Sequence, residues 1–376
     1  MKMLSQVFIE IFSKLEDIRV ERTKKHLFLD IIGLALCAVL AGAQCFTEIE
    51  DFCEIHEDFL RQYFPLPNGI PSHDTFSRVF SALVPKAFES CFLEFLNELL
   101  ELFPEGVIAI DGKSIRASRR VKDNLKALHI VSAWSCNNGM SLGQVIVDGK
   151  TNEITAVPLI LEKLCLSGAI VTLDAMGCQK SIAEKIIEGS GDYLLRVKGN
   201  QSGLLEAMEE TFHAAAELNY KNMVFYSAKD EVNQDHGRLE SRSCIVLPAM
   251  YLLKMKLPWK GLQSLICVTS ERESSQENSK EFRYYISSLT PKDPERILKS
   301  IRSHWGIENH LHWALDVSYR EDQSRIRDEN SALNMAWLRK TALALLKRTG
   351  TLKGSIRRKQ LALWGNPSKI IDLLRN

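Results

Sequence analysis

Two short apolar runs, each closing on an aspartate, constrain this chain more than any other feature. Residues 107–110, Val-Ile-Ala-Ile, predict a short buried strand that ends at Asp111-Gly112. Residues 169–173, Ala-Ile-Val-Thr-Leu, predict a second one that runs into Asp174 and then Ala-Met-Gly. Carboxylates at the C-terminal edges of strands stand where open α/β sheets hold their chemistry, because loops there fix polar groups on a rigid scaffold. Either aspartate alone reads equally well as the cap of a turn or helix. Both together, with an acidic helix later in the chain, point to a carboxylate cluster that binds metal.

The segments around these strands supply a sheet. Residues 127–135 and 141–147 read as strands joined by Cys136-Asn-Asn-Gly, a strong hairpin signal. Helices are predicted over 152–166, with Ile154, Val157, Leu161 and Leu164 on one face, and over 179–187, before a strand at 193–198. A hairpin beside the first strand, followed by parallel crossovers, is the order of a ribonuclease-H-like sheet. The predicted class is α/β: a ribonuclease-H-like mixed sheet with a helical N-terminal domain and a β-rich insertion before the last catalytic helix. The predicted units are 1–104 (all-helical), 105–216 (first part of the sheet domain), 217–290 (β-rich insertion), 291–346 (completion of the sheet domain) and 347–376 (basic tail).

At 376 residues, with 45% apolar and 25% charged residues, the chain can bury two or three packed units. A net charge of +1 decides nothing about a polyanionic partner, so the local placement of cations has to. Nine cysteines without a Cys-x-x-Cys pair read as reduced core thiols in a cytoplasm. Glu10, Glu16 and Asp17 break up the N-terminus, which therefore lacks the form of a secretory signal, and no export is expected. The uncharged stretch 31–47 is slightly short of a bilayer span and reads as a buried helix, so no membrane partner is expected.

The densest cationic run before the tail is Lys113, Arg116, Arg119, Arg120, Lys122 and Lys126, against Asp123 alone. It is either a solvated loop or a set of contacts to phosphate oxygens. The segment from His236 to Arg242 is either a nucleic-acid contact or a hairpin tip. Further on, Ile297, Ile301, Trp305, Glu308 and His312 recur at helical spacing, which predicts that Glu308 faces the core. A buried carboxylate must be paired or ligated, with Arg302 or a histidine as the alternatives to a metal. Clustered carboxylates repel one another unless a cation lies between them. Hard oxygen donors without thiolate favour Mg²⁺, with Mn²⁺ as a substitute, and two such ions suit phosphodiester transfer. Asp111, Asp174 and Glu308 are the candidate catalytic residues and metal ligands. His304, Glu308 and His312 also share a helical face that zinc would accept, though zinc leaves both strand-end aspartates unexplained.

Several longer motifs, Ala109-Ile-Asp-Gly-Lys-Ser, Thr172-Leu-Asp-Ala-Met-Gly-Cys-Gln179, Arg196-Val-Lys-Gly-Asn-Gln201 and His304-Trp-Gly-Ile-Glu-Asn-His-Leu-His-Trp313, resemble those of the DDE transposases of bacterial insertion sequences. Within that family the likeness is to the H-repeat-associated proteins found beside Rhs elements, and it extends to Pro71-Ser-His-Asp-Thr-Phe near the N-terminus. The resemblance implies Mg²⁺-dependent cleavage and strand transfer by Asp111, Asp174 and Glu308. Its implied partners are the double-stranded ends of a mobile element and target DNA, on which the protein works as a homo-oligomer. Lys113, Arg116, Arg119, Arg120, Lys198, Arg302 and His312 are the candidate DNA contacts. Related transposases carry a tyrosine and an arginine before the final glutamate and a lysine after it. Here Ile301, His304 and Leu315 stand in those places, with Arg302 and His312 as candidate substitutes. Two other outcomes fit the same residues: a nuclease that does not join strands, and an inactive or domesticated DNA-binding relative.

Overall fold

A computed structural model describes residues 6–100, 106–119, 126–147, 153–230, 233–235, 238–252, 259–273 and 278–375. Arg120, Lys122, Asp123 and His236, named above, lie outside the described residues. One mixed sheet of ten strands organises the rest. Its strands are β1 (Val107–Ile115), β2 (Leu128–Ser135), β3 (Met140–Val147), β4 (Ile170–Leu173), β5 (Asp192–Val197), β6 (Tyr226–Lys229), β7 (Asn233–Asp235), β8 (Arg238–Pro248), β9 (Ser264–Glu273) and β10 (Asn278–Ser287). They lie in the order β3-β2-β1-β4-β5-β10-β9-β8-β6, and β7 pairs with β8 off that path. The β2–β3 hairpin flanks β1, while β1, β4 and β5 are mutually parallel, as the sequence order predicts. The long strands of 217–290 pair on through β10 to β5, so they extend this sheet.

Asp111 does not end its strand. Parallel pairing with β4 stops at Ile110↔Leu173, but antiparallel pairing with β2 carries β1 on to Ile115. The β2–β3 hairpin is longer than β4, so β1 keeps a partner on one side after losing the other.

Side chains alternate across the strands, and this decides what faces what. Ile108, Ile110, Val171, Leu173, Leu195 and Val197 pack in one core with α7 (Glu153–Leu161), α8 (Lys180–Glu188) and α9 (Ser202–Glu217). Val107, Ile170 and Leu194 face the other way and pack against Ile297, Leu298 and Ile301 of a helix at Pro294–Gly306. By the same alternation Asp111, Asp174, Arg196 and Lys198 belong to that second face.

The N-terminal helices are α1 (Gln6–Phe12), α2 (Phe28–Leu40), α3 (Phe46–Ile55), α4 (Glu57–Leu60), α5 (His73–Ala82) and α6 (Pro85–Leu99). Rings of Phe8, Phe12, Phe88, Phe92 and Phe95 pack edge to face where α1 meets α6, for example Phe12 on Phe92 at 4.8 Å between centroids. The uncharged stretch is not one helix: α2 stops at Leu40, and Gly42, at φ +102°, turns the chain where a side chain would meet Gln360. Among the described residues no helix is long and apolar enough to cross a membrane.

The helix at Pro294–Gly306 is α10; a π-helical segment, Ile307–His312, joins it to α11 (Trp313–Tyr319). Next come α12 (Glu329–Arg348), α13 (Ile356–Gly365) and α14 (Ser368–Arg375). The almost wholly buried α12 packs on α2, α5 and α6. It reaches the sheet through Lys340, whose Nζ donates to Ser132 Oγ (2.8 Å) and Gln144 Oε1 (2.6 Å). Residues 347–375 are more than a basic tail, because Leu363, Ile370, Ile371 and Leu374 join the N-terminal core. Its cations divide accordingly. Lys353, Arg357 and Arg358 are exposed, whereas Lys347 and Lys359 donate to the carbonyls of His310 and Leu346, each at 2.6 Å. All nine cysteines are free thiols.

Candidate active site

Asp111, Asp174 and Glu308 line one pocket with Thr172, Arg196, Tyr285, His304 and Trp305. Each carboxylate comes from a different element, and each is held differently. Asp174 closes β4 and caps the turn after it, its Oδ1 accepting from the N–H groups of Met176 (2.9 Å) and Gly177 (3.3 Å). The turn-capping and the pocket-lining readings of this residue are therefore both realised.

Glu308 corrects an expectation, because it is exposed and not part of the core stripe. The π-helical turn adds a residue to the helical repeat, so Ile307 and Leu311 take the buried positions and Glu308 swings to the pocket's rim. Two contacts pin the preceding helix over the strand ends. His304 Nδ1 meets Thr172 Oγ1 at 2.9 Å, and Cys136 Sγ donates to the Ser303 carbonyl at 3.2 Å. Burial, and then the charge of Arg196, push His304 down to about 4, so the ring is neutral.

Burial pushes Asp111 up to about 7, against the opposing hydrogen bond from the Gly112 N–H, and the charges of Glu153, Asp174 and Glu308 push the same way. Asp174 is also raised, first by burial and, after the opposing Gly177 N–H, by Glu153. A site that disfavours its own negative charges in this way favours a cation, and all its acidic donors are hard oxygens. Among the described residues no three histidine, cysteine, aspartate or glutamate side chains stand close enough to enclose an ion by themselves. That does not conflict with Mg²⁺, which is commonly held by one or two carboxylates with water and substrate phosphates completing its shell. Zinc wants its protein ligands gathered, and the described residues hold no such group.

Glu153 is a fourth carboxylate that the sequence reading missed. It sits at the start of α7 and contacts His129 Nε2 through Oε1 at 2.7 Å. Gly112 makes room for this pair: a Cβ there would lie 2.3 Å from Glu153 Oε1 and 2.4 Å from His129 Nε2. Gly112→Ala is expected to lower the unfolding free energy by about 1–3 kcal/mol through overpacking, read from denaturant midpoints. An unchanged midpoint would mean that the pair moves aside freely. Arg196 was also missed as a lining residue, although it lies in a quoted motif and the alternation of β5 puts it on the same face as Lys198.

The candidate DNA contacts fare unequally. Lys198 is exposed, and its charge acts on Asp174. Arg116 and Arg119 are exposed, with Arg116 Nε 3.4 Å from Asp322. Arg302 is half exposed and borders a larger groove with Arg242, Arg272 and Trp305. Lys113 and His312 must be removed from the exposed set. Lys113 lies on the same face of β1 as Asp111 and is mostly buried, ion-paired with Asp316 and, at 3.0 Å, with Glu321. His312 is mostly buried too, its Nδ1 3.5 Å from Asp111 Oδ2, and burial, then Lys113 and Lys340, push it down to about 3. Both fell inside because β1 runs past Asp111 and packs against the π-helical segment that carries His312 and the short turn Glu321–Gln323 that follows α11.

A family model described as "Transposase DDE domain" matches residues 102–345, and one described as "DDE_Tnp_1-associated" matches residues 9–96. The chain belongs to the DDE transposase family. Its relatives include H repeat-associated members of that family. It is 41% identical over 356 residues to "H repeat-associated putative transposase YhhI" of Escherichia coli strain K12, over 93% of each chain. It is 42% identical over 373 residues to "Putative transposase YncI" of Escherichia coli O157:H7, covering 98% of this chain and 94% of that protein. Among solved structures, piggyBac transposase in a synaptic complex with hairpin DNA aligns over 97% of this chain and 76% of its own, at TM-score 0.45 and 12% identity.

Proposed function

We propose that this protein cuts DNA at the ends of an insertion element and joins those ends to target DNA, with Asp111, Asp174 and Glu308 holding Mg²⁺ or Mn²⁺. The observation that carries this reading is that three carboxylates, far apart in the chain, line one pocket together with a guanidinium. The strand order β3-β2-β1-β4-β5, antiparallel and then parallel, supports a ribonuclease-H-like catalytic domain over 105–216 and 291–346. The helical unit 1–104, the insertion 217–290 and the C-terminal segment 347–376 build around it.

When bound, the ion supplies Lewis-acid charge that activates a water or 3′-hydroxyl and stabilises the leaving oxygen. The chain's own residues do the positioning. The turn at Met176 and Gly177 fixes the Asp174 carboxylate, and the Thr172–His304 contact holds the helix that delivers Glu308. Arg196 in the pocket and Lys198 beside it meet phosphate oxygens, a task suited to a planar fork and a point charge respectively. Arg302 extends this path toward the groove of Arg242 and Arg272. Arg116 and Arg119 contact DNA just beyond the end of β1, and Arg120, which lies outside the described residues, is a further candidate contact by sequence alone. We assign the protein to the cytoplasm, as a homo-oligomer assembled on DNA.

Oligonucleotides carrying element ends, incubated with Mg²⁺ and a target duplex, test this directly. Joined products that vanish with EDTA and return with Mn²⁺ are expected. Cut but unjoined products would make it a nuclease, and binding without cutting an inactive relative.

A further inference from the structure

A second pocket lies between the N-terminal helices and the loop that follows α11, lined by Gln44, Ser77, Arg320, Ser324, Arg325 and Arg327, with Glu48 and Asp328 also at its wall. Three arginines fall within eight residues here, Arg320 and Arg325 exposed and Arg327 part-buried, so they concentrate positive charge at the pocket. Among the described residues no acid stands within ion-pair distance of any of them, and Arg327 Nε is buried with no hydrogen-bond partner. The two acids in the wall keep their charge, but each has one oxygen turned to a backbone donor and neither is within ion-pair distance of these arginines. Glu48 Oε2 accepts from the Gln44 N–H and Asp328 Oδ1 from the Ser331 N–H, each at 2.8 Å.

The walls are built and not incidental. Arg339, fully buried, donates through Nη2 to the Gln44 carbonyl at 2.9 Å and reaches Ser324 Oγ at 3.5 Å, so it ties one side of the pocket to the other. Arg320 holds a left-handed backbone, φ 47° and ψ 41°, at the end of α11. A residue without glycine's freedom persists there only when its surroundings fix it. Planar guanidinium donors, one of them with a buried and unpartnered Nε (Arg327), beside serine hydroxyls, match the oxygens of a phosphate.

We propose that this pocket binds a backbone phosphate of duplex DNA, as a second anchoring site apart from the acidic pocket. The assignment rests on the DNA reading above. The loop also joins the pocket to the catalytic strand, because Asp322 meets the exposed Arg116 and Glu321 meets Lys113, both on or next to β1. DNA held here would be fixed to the element that carries Asp111.

The test is the salt dependence of affinity for a labelled end-containing duplex. It compares wild type, Arg325→Ala/Arg327→Ala, Arg325→Lys/Arg327→Lys and an exposed control, Lys292→Ala. Removing one arginine–phosphate pair is expected to flatten the log–log slope by about 1, so the alanine double variant drops by about 1–2 in slope and about tenfold in affinity. The lysine pair, which keeps its charge, is expected to recover most of the slope, and the control to change little. A wild-type slope in the alanine pair overturns the site. No binding by wild type overturns the DNA reading and this assignment with it. If inorganic phosphate raises the unfolding midpoint of wild type but not of the alanine pair, while the DNA slopes agree, the pocket holds free phosphate and the DNA assignment falls.

Discussion

Asp111→Asn is expected to abolish cutting and joining while leaving the fold intact and more stable in metal-free buffer. The side chain keeps its shape and one acceptor oxygen but loses its charge. Losing an outer partner of a metal ligand already costs about 10–100-fold, so losing a ligand itself should exceed about 10²-fold. Stability is expected to move the other way because the folded protein disfavours the ionised form of this group. With its pKa raised from 3.8 to about 7, folded Asp111 retains a proton that the unfolded chain has released. Wild-type stability therefore falls as pH rises through that window, whereas the asparagine has no charge to develop. Single-turnover cleavage paired with urea midpoints at pH 5 and pH 8 checks both halves. Cleavage within about threefold of wild type would remove Asp111 from the chemistry.

Glu321→Ala is expected to be strongly destabilising, costing about 3–5 kcal/mol. Glu321 is buried between Lys113, 3.0 Å away, and Arg339, 3.8 Å away. Burial alone would raise its pKa, but Lys113, Arg339 and Lys340 outweigh burial and hold it below the usual glutamate range. Without it, Lys113 keeps the part-exposed Asp316, but the buried Arg339 is left with the more weakly acting Glu48. Equilibrium urea unfolding gives the number. A loss under about 1 kcal/mol would mean that water enters and screens the cations.

The residues that make the acidic pocket were legible because they lie on short periodic elements. The runs before Asp111 and Asp174 and the hairpin turn at Cys136-Asn-Asn-Gly fix β1, β4 and the β2–β3 pair from local pattern alone. What local pattern could not give was set by neighbours. No signal near Asp111 says that β1 continues, because the continuation depends on the length of β2. The burial of Lys113 follows from that, and its partners stand about two hundred positions away in sequence. Glu308 reaches the pocket by a route its spacing does not show, since a regular helix through Trp305 would point it inward and only the π-helical turn brings it to the rim. Glu153 and His129 were missed because each looks ordinary until the hairpin register sets His129 opposite Ser114. Helix α7 stops at Leu161, short of the expected 166, with Pro158 inside it.

The unbroken ladder from β3 to β6 has a mechanical consequence. Rocking the outer strands against β4 and β5 would tear the β5–β10 hydrogen bonds, so the sheet can only travel as a slab. An irregular joint lies beside that slab. That joint is the wide turn at Ile307–His312, where, on the function proposed above, a slip of one residue toward ordinary helical winding is expected to draw Glu308 off the pocket's rim without moving a strand.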